Sequence, residues 1–400
     1  MVLMESSPSA KPRKIALPAG IWALGIVSFF MDMSSELVHS LLPVFLVSGL
    51  GASMVAVGFI EGAAEATASI TKVFSGVISD WIGKRKLLTV IGYGLAALTK
   101  PLFPLATTVD AVFAARFIDR IGKGIRGAPR DALIADIVSP EQRGAAYGLR
   151  QALDTAGAVA GPLLAVLFMW LLADNIRAVF WVATLPAIVA VLILIFAVRE
   201  PEHRDGKAKA PFRLADLREL DRRYWGIVAV AGVLTLARFS EGFLVLRAQN
   251  AGLSIGYVPL VMVVMSGIYT LAAYPAGLLA DRLDRRSLLA LGFAVLIAAD
   301  IVLAEASTPL IVFAGVALWG LHMGLTQGLL STLVADAAPA ALRGSAFGIF
   351  NLICGGILLA ASAIAGMLWQ GYGPAATFYV GAIITTGGLA GLLAVRSRSA

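Results

Sequence analysis

Charge is scarce in this chain of 400 residues. Asp, Glu, Lys and Arg together make up 14% of it, against about 25% in a typical soluble domain, while 59% of its residues are hydrophobic and its mean hydropathy is +0.85. This composition excludes an ordinary soluble globular protein. The bilayer is therefore the expected solvent.

Cysteine is almost absent as well. The single cysteine, Cys354, excludes a disulfide framework and a cysteine-based metal cluster within one chain, and we expect it to be a small core residue. The sequence also lacks a nucleophile elbow, a phosphate-binding glycine loop and a zinc signature, so we expect neither an enzyme nor a cofactor. The G-x-G-x-x-G string at Gly122 lies in a charged membrane helix and follows no strand, so it is not a dinucleotide site.

Long apolar runs are what the chain does contain. A membrane-spanning helix needs about 20 mostly apolar residues, and twelve segments approach this length. They are 18–47, 54–79, 87–107, 110–133, 144–170, 177–198, 224–248, 256–280, 287–305, 309–334, 344–369 and 374–395. The sequence therefore predicts an all-α membrane protein with twelve transmembrane helices.

Two internal repeats divide these helices into six plus six. Residues 135–148 return in similar form at 335–348, and the pattern that begins at Gly76 returns at Gly277. A duplication of this length predicts two pseudo-symmetric six-helix bundles, as in a transporter.

The expected domains are an N-terminal bundle at 1–199, a linker at 200–223 and a C-terminal bundle at 224–400. Lys and Arg concentrate on alternate loops, whereas the opposite loops hold little more than Arg177 and Arg247. The positive-inside rule then places both termini and the linker in the cytoplasm, at a bacterial-type inner or plasma membrane.

The net charge of +7 follows from this topology, so no nucleic-acid partner is expected. The apolar run after the polar start is too long for a signal peptide, and we expect it to remain as an anchor. The expected partners are membrane lipids and a small-molecule or ion substrate, and the expected state is a monomer.

The turn after the second helix and its repeat resemble the signature loop of the major facilitator superfamily, and the resemblance covers essentially the whole chain. The residues that carry it, together with the 135–148 repeat, are Gly76, Asp80, Gly83, Lys84, Arg85, Asp281, Arg285, Arg286, Asp136, Arg143, Asp336 and Arg343. The resemblance implies a secondary transporter that works by alternating access, with these residues at a cytoplasmic gate. Loop charge that sets topology is an alternative role, and both roles can hold together.

The fifth helix resembles an antiporter motif through Gly157, Gly161 and Pro162, which implies efflux. Close helix packing by small residues at four-residue spacing is the alternative interpretation.

Many ionisable residues lie inside the predicted helices, where each costs about 2.5 to 3.5 kcal/mol and usually faces a cavity or a partner. The candidate proton-coupling residues are Asp32, Glu36, Glu61, Glu65 and Asp119. Their alternative role is to neutralise the arginines of the fourth helix. Because the second half is poorer in such residues, we expect ion coupling in the first half and substrate shape to be read more by the second.

A second set of residues contains the candidate substrate ligands. They are Arg116, Arg120, Lys123, Arg238, Glu241, His322 and His39. Arg116 and Arg120 suit a bidentate clamp on an anion, or pairing with nearby carboxylates. Arg150 and Asp154, one helical turn apart, are expected to form an ion pair.

The sequence favours proton-coupled export of a small solute, driven by the proton gradient. Two alternatives remain open. One is export of a divalent metal or metal chelate, because Asp32, Glu36, His39 and the adjacent Met31 and Met33 are possible ligands, although no resident metal site is predicted. The other is a lipid flippase, in which the charge cluster binds a headgroup.

Overall fold

The computed structural model describes residues 17–200, 219–280, 284–339 and 342–394, apart from the side chains of residues 77 and 80. Across these ranges the regular structure is helical and contains no β-strand. The predicted linker lies largely outside the described residues, as does Asp281, and the side chain of Asp80 is likewise outside the description.

Twelve helical spans follow one another along the chain. They are span 1 (Ala19–His39, Leu42–Val44 and Phe45–Gly49), span 2 (Met54–Ile82), span 3 (Arg85–Thr99 and Leu102–Leu105), span 4 (Val109–Ile137), span 5 (Arg143–Leu171), span 6 (Ile176–Ala197), span 7 (Arg222–Ala237 and Gly242–Asn250), span 8 (Leu260–Ala280), span 9 (Arg285–Glu305), span 10 (Pro309–Ala337), span 11 (Arg343–Tyr372) and span 12 (Pro374–Ala394). The prediction of an all-α protein with twelve membrane helices is confirmed.

Ten of the twelve spans are long and apolar enough to cross a membrane by composition alone. Spans 2 and 4 are not among these ten, because their polar and charged residues lower their hydropathy. The two spans that a lipid environment would reject most strongly therefore need the protein itself to surround their charges.

Short polar caps begin many of the helices. Each capping side chain accepts a hydrogen bond from the amide three residues further on, which satisfies one of the free amides of a helix start. These caps are Ser53, Thr108, Asn175, Asp221 and Asp284. In the last of them, bonds from the Ser287 amide and hydroxyl hold the pKa of the Asp284 carboxyl below its usual value.

Three spans are broken, although the sequence predicted continuous helices. Pro43 and Pro101 lie at the breaks of spans 1 and 3, where proline removes an amide donor. The break in span 7 has no proline. There, the Ser240 hydroxyl accepts the amide of Gly242, and the Ser240 amide donates to the Ser362 hydroxyl, so side chains replace the helical bonds.

The two halves pack in the same way. Span 1 lies on spans 5 and 6 and span 4 on spans 2 and 3, while span 7 lies on spans 11 and 12 and span 10 on spans 8 and 9. The duplicated sequence therefore folds into duplicated architecture.

The halves close against each other at the end of the bundle that lies away from residues 17 and 394; we call it the closed end. Ser48 of span 1 accepts a hydrogen bond from Gln249 of span 7 at 2.9 Å between Oγ and Nε2. On span 2, a Cβ at Gly58 would lie 2.1 Å from the Ser362 carbonyl oxygen of span 11. Only glycine allows two backbones to approach this closely.

Gly58→Leu should therefore open the closed end. We expect the side chain to force spans 2 and 11 apart, because the atom that it meets belongs to the backbone and cannot rotate away. In a Cys354→Ala background, oxidative cross-linking between Ser48→Cys and Gln249→Cys should be efficient and should fall strongly once Gly58→Leu is added.

The matched control is Gly94→Leu in span 3, where a Cβ meets nothing within 4 Å. It should leave the cross-linking yield unchanged. Equal yields with Gly58→Leu and Gly94→Leu would show that the glycine contact does not hold this end shut.

Candidate functional site

A polar cavity of about 250 Å³ lies between the halves. Spans 1, 2, 4 and 5 supply most of its wall, and Asn351 of span 11 closes the side that faces the second half. Its charged lining consists of Asp32, Glu65, Lys72, Lys123, Arg126, Arg130 and Asp154. Four basic and three acidic side chains thus face one small volume inside a membrane bundle, which is the kind of place where transported solutes and ions bind.

A buried ion-pair network lies beside this cavity. Glu61 of span 2 is 1% exposed and binds both the Arg116 guanidinium of span 4 and the His39 imidazole of span 1, each at 3.2 Å. His39 reaches Glu36 through its other ring nitrogen at 3.3 Å. The network ties spans 1, 2 and 4 together through charges that have little contact with solvent.

A second set of pairs lies further along span 4. The Lys100 ammonium of span 3 is 2.9 Å from an Asp119 carboxylate oxygen and 3.1 Å from the Ser35 hydroxyl, and it is almost fully buried. Arg120 pairs with Glu65 at 3.3 Å. Arg116 and Arg120 therefore neutralise carboxylates of span 2 in this conformation.

Two carboxyls meet at the cavity wall. Asp32 of span 1 and Asp154 of span 5 lie close to each other in this lining. Arg126 is 3.7 Å from Asp32, and Arg150 is 3.3 Å from Asp154, which confirms the predicted Arg150–Asp154 ion pair. Two ionised carboxylates so close together repel each other, which favours a proton shared between them, whereas Arg126, Arg130 and Arg150 favour the ionised forms.

The antiporter-like glycines bring this carboxyl pair together. A Cβ at Gly157 would lie 2.3 Å from the Phe29 carbonyl oxygen, and one at Gly161 would lie 2.5 Å from that of Met33. Asp32 lies between these two residues of span 1, and Asp154 lies three residues before Gly157. The glycines, followed by Pro162 inside the same helix, therefore serve close packing of spans 1 and 5 and also set the distance between the two acids.

Two lysines of the cavity are not held in an ion pair by the described residues, although carboxylates lie within electrostatic reach of them. Among the described residues, neither the Lys72 nor the Lys123 ammonium forms a hydrogen bond or an ion pair. The stem of Lys72 packs over Gly127 of span 4, with three of its carbons 3.5 Å from the place of a Cβ. These ammonium groups are the cations of the cavity that remain open to a ligand.

The second half contributes less to the site. Arg238 and Glu241 flank the break in span 7, and Glu241 lies within electrostatic reach of His39 and Glu36 across the halves. His322 is buried, and its Nδ1 lies 2.8 Å from the Gly292 carbonyl of span 9. None of these three residues lines the polar cavity, so their role as substrate ligands stays a prediction.

The repeated gate motif forms two equivalent clasps. Arg85 pairs with Asp136 in the first half and Arg285 with Asp336 in the second. Arg143 and Arg343 each donate to a carbonyl eight residues earlier, and Arg286 donates to the end of span 12. Gly83 ends span 2 in the left-handed conformation at φ 69°, next to Lys84, whereas Gly76 packs against Ala128 of span 4. In the described residues, both Arg–Asp clasps hold helices within one half and do not bridge the halves.

The suggested metal ligands do not form one site. Glu36 and His39 belong to the Glu61 network, while Asp32 turns to Arg126 and Asp154. In the parts of the chain that the structure describes, no group of three His, Cys, Asp or Glu side chains could hold a metal ion.

Sequence reasoning left out Lys100 and Asp300, and it named Asp154 only as the partner of Arg150 and not as the neighbour of Asp32. Each is an ionisable residue inside an apolar run, and that signal alone marks a functional candidate in a membrane protein. The sequence could not show that Lys100 pairs with Asp119 or that Asp154 lies near Asp32, because these partners belong to other spans.

Two like six-helix halves around a polar cavity, sealed at one end, have the architecture of a membrane transporter. The family model described as Major Facilitator Superfamily matches residues 24–363 and, in a second match, 242–400. The chain therefore belongs to the major facilitator superfamily and is an integral membrane transporter of that family.

Relatives and solved structures agree with this assignment. An MFS-type transporter of Methanocaldococcus jannaschii is 30% identical over 383 residues, which cover 94% of each chain. Multidrug resistance protein MdtH of Edwardsiella ictaluri is 25% identical over 84% of this chain and 82% of its own. The nucleoside transporter NupG superimposes with a TM-score of 0.79 at 13% identity, over 94% of this chain and 99% of that one. A bacterial homologue of the lysosomal transporter Spinster, in an inward-facing and unoccupied conformation, gives 0.71 at 16% identity over 95% and 96%. At these low identities the two solved structures show the fold alone.

The Lys100–Asp119 pair should be the most sensitive ion pair of the first half. Asp119→Asn leaves a buried ammonium without its counter-ion, which costs about 3 to 5 kcal/mol of folding free energy. We expect a clear fall in the apparent melting temperature of the purified protein in detergent.

Removing both charges in Lys100→Met with Asp119→Asn should recover most of this loss, because no unpaired charge remains. Asp136→Asn, at a more exposed clasp, is the control and should change the melting temperature little. A melting temperature in Asp119→Asn as high as in the control would contradict the assigned pairing.

Proposed function

We propose that the protein exports a small polar solute in exchange for protons, with the Asp32–Asp154 pair as the proton-binding site. The observation that carries this proposal is the proximity of two carboxyls on the wall of the charged cavity between the halves. A site that shares one proton between two acids can bind and release it without leaving an isolated charge in the bilayer.

Exchange requires that proton and solute exclude each other. A solute with a cationic or hydrogen-bond-donating group would meet the carboxyl pair directly and replace its proton. The resemblance of span 5 to an antiporter motif and the relationship to a multidrug resistance protein support export as the direction.

Protein reconstituted in liposomes should accumulate solute when a pH gradient is imposed. One pH unit corresponds to about 1.4 kcal/mol, so exchange of one proton sustains about a tenfold solute gradient. Organic cations, nickel, cobalt, iron and organic anions, each supplied separately, would sort the substrate classes and would also test the metal alternative.

Asp32→Asn and Asp154→Asn should each abolish the response to the pH gradient while leaving solute exchange at equal pH. Glu65→Gln should weaken the response less, because Glu65 is tied to Arg120 and not to the acid pair. Asp110→Asn, which changes an exposed acid in the first turn of span 4, is the matched control. Wild-type coupling in both Asp32→Asn and Asp154→Asn would refute the proposed proton site.

The unpaired lysines favour a second candidate function, co-transport of an anion with a proton. An anion held by Lys72 and Lys123 would draw these cations away from the carboxyls, and the pair would then bind its proton more tightly. Proton and anion would move together, so the pH gradient would drive the solute in the opposite direction. Tests with phosphate and citrate decide between the candidates by the sign of coupling, and loss of that flux in the Lys72→Ala, Lys123→Ala double variant would assign the anion site.

A further inference from the structure

Asp300 is a buried acid that the proposed function does not use. It lies inside the second half, in span 9, and it is 0% exposed. Neither of its carboxyl oxygens has a hydrogen-bond partner among the described residues. It does not line the polar cavity between the halves.

Among the described residues, no charged side chain pairs with the Asp300 carboxyl. The ionisable side chains on its own helix and on the helices around it are Arg285, Arg286 and Glu305 on span 9, Arg222, Arg223, Tyr224, Arg238, Glu241 and Arg247 on span 7, Tyr269 and Tyr274 on span 8, His322 and Asp336 on span 10, and Tyr379 on span 12. Several of them are engaged elsewhere: Arg247 binds carbonyls of residues 303, 304 and 306, and His322 binds Gly292.

Asp300 meets the break of span 7 beside Gly381 of span 12. A Cβ built at Gly381 would lie 2.8 Å from Asp300 Oδ2 and 3.2 Å from the Ala237 carbonyl oxygen. Ala237 ends the first helix of span 7, and no backbone amide of the described residues donates to its carbonyl. The Asp300 carboxyl and the Ala237 carbonyl, which both lack a hydrogen-bond partner among the described residues, therefore lie against the same glycine, Gly381.

An ionised Asp300 would be an unpaired charge in a low-dielectric interior, which is far more costly than a neutral acid. The neutral acid carries a proton that it can donate, and the Ala237 carbonyl is an acceptor made available by the break in the helix. Proton binding at Asp300 and the broken form of span 7 therefore favour each other.

The internal repeat shows how the two halves differ at the position of Asp300. An offset of 200 relates the Arg85–Asp136 clasp to the Arg285–Asp336 clasp, and the same offset relates Lys100 to Asp300 and Asp119 to Trp319. Lys100 is neutralised by Asp119. Trp319 offers only an indole N–H, which has no acceptor in the described residues. The first half locks its buried charge in an ion pair, whereas the second half leaves an acid without a counter-ion.

We propose that Asp300 is a second proton-binding site. It binds its proton while the closed end is shut, and it releases the proton to water when span 7 moves and that end opens. The site lies in the other half from Asp32 and Asp154 and involves no solute. It goes beyond the proposed function and does not rest on it.

The first test is infrared spectroscopy of the purified protein in lipid nanodiscs across an alkaline pH series. The wild type should show a protonated-carboxyl band component that is missing in Asp300→Asn and retained in Asp110→Asn. Asp32→Asn should remove a different component. Identical spectra of wild type and Asp300→Asn would overturn the proposal, whatever the flux assays show.

The second test measures the width of the closed end by pulsed electron spin resonance. Spin labels at Leu105 and Leu310, both exposed and at that end of opposite halves, are placed in a Cys354→Ala background. In the wild type the long-distance population should grow as pH rises, because an ionised Asp300 can no longer donate a hydrogen bond to the Ala237 carbonyl.

The amide of Asp300→Asn can donate a hydrogen bond but does not lose its proton, so the labels should stay at the short distance at every pH. Asp110→Asn should follow the wild type. Asp300→Ser, which also keeps a donor, replaces Asp300→Asn if the amide variant does not fold. A pH response like that of the wild type in these variants would overturn the proposal. It would also be overturned if the distance in the wild type changed with sodium concentration at constant pH and did not change with pH.

Discussion

A charge inside a membrane protein must be paired or must face water, and this constraint shapes the first half of the transporter. Glu61 joins Arg116 and His39, Asp119 joins Lys100, and Glu65 joins Arg120. These pairs allow span 4, which would be rejected by lipid on its composition, to lie in the centre of a bundle. The charges that remain incompletely paired, Lys72, Lys123 and the Asp32–Asp154 pair, are those that face the cavity.

Glycine supplies the complementary constraint, because polar partners can meet only if helices approach closely. Gly157 and Gly161 bring spans 1 and 5 to backbone contact and so place Asp32 beside Asp154. Gly58 does the same for spans 2 and 11 at the closed end, and Gly381 makes room for Asp300 beside Ala237. Close helix packing at glycine thus positions the carboxyl pair, the closure between the halves and the isolated acid of the second half.

The two halves share their helix packing but differ in their buried charged residues. Both keep the Arg–Asp clasp, the helix break in the first span and the same order of packing. They differ in the residues at equivalent buried positions, where Lys100 and Asp119 correspond to Asp300 and Trp319. One half therefore contains a dense network of charges, whereas the described interior of the other half is apolar except for a few isolated groups.

The sequence by itself determined the membrane class, the twelve spans and the twofold repeat, because hydropathy, charge spacing and duplication are properties of the chain in one dimension. It also marked most of the buried charges and the Arg150–Asp154 pair, since one helical turn fixes that distance. Tertiary structure alone decided which acid meets which base, that Arg116 and Arg120 are neutralised, and that Asp154 joins Asp32. Those outcomes depend on distances between helices, which side-chain packing sets to within an ångström and which no spacing along the chain encodes.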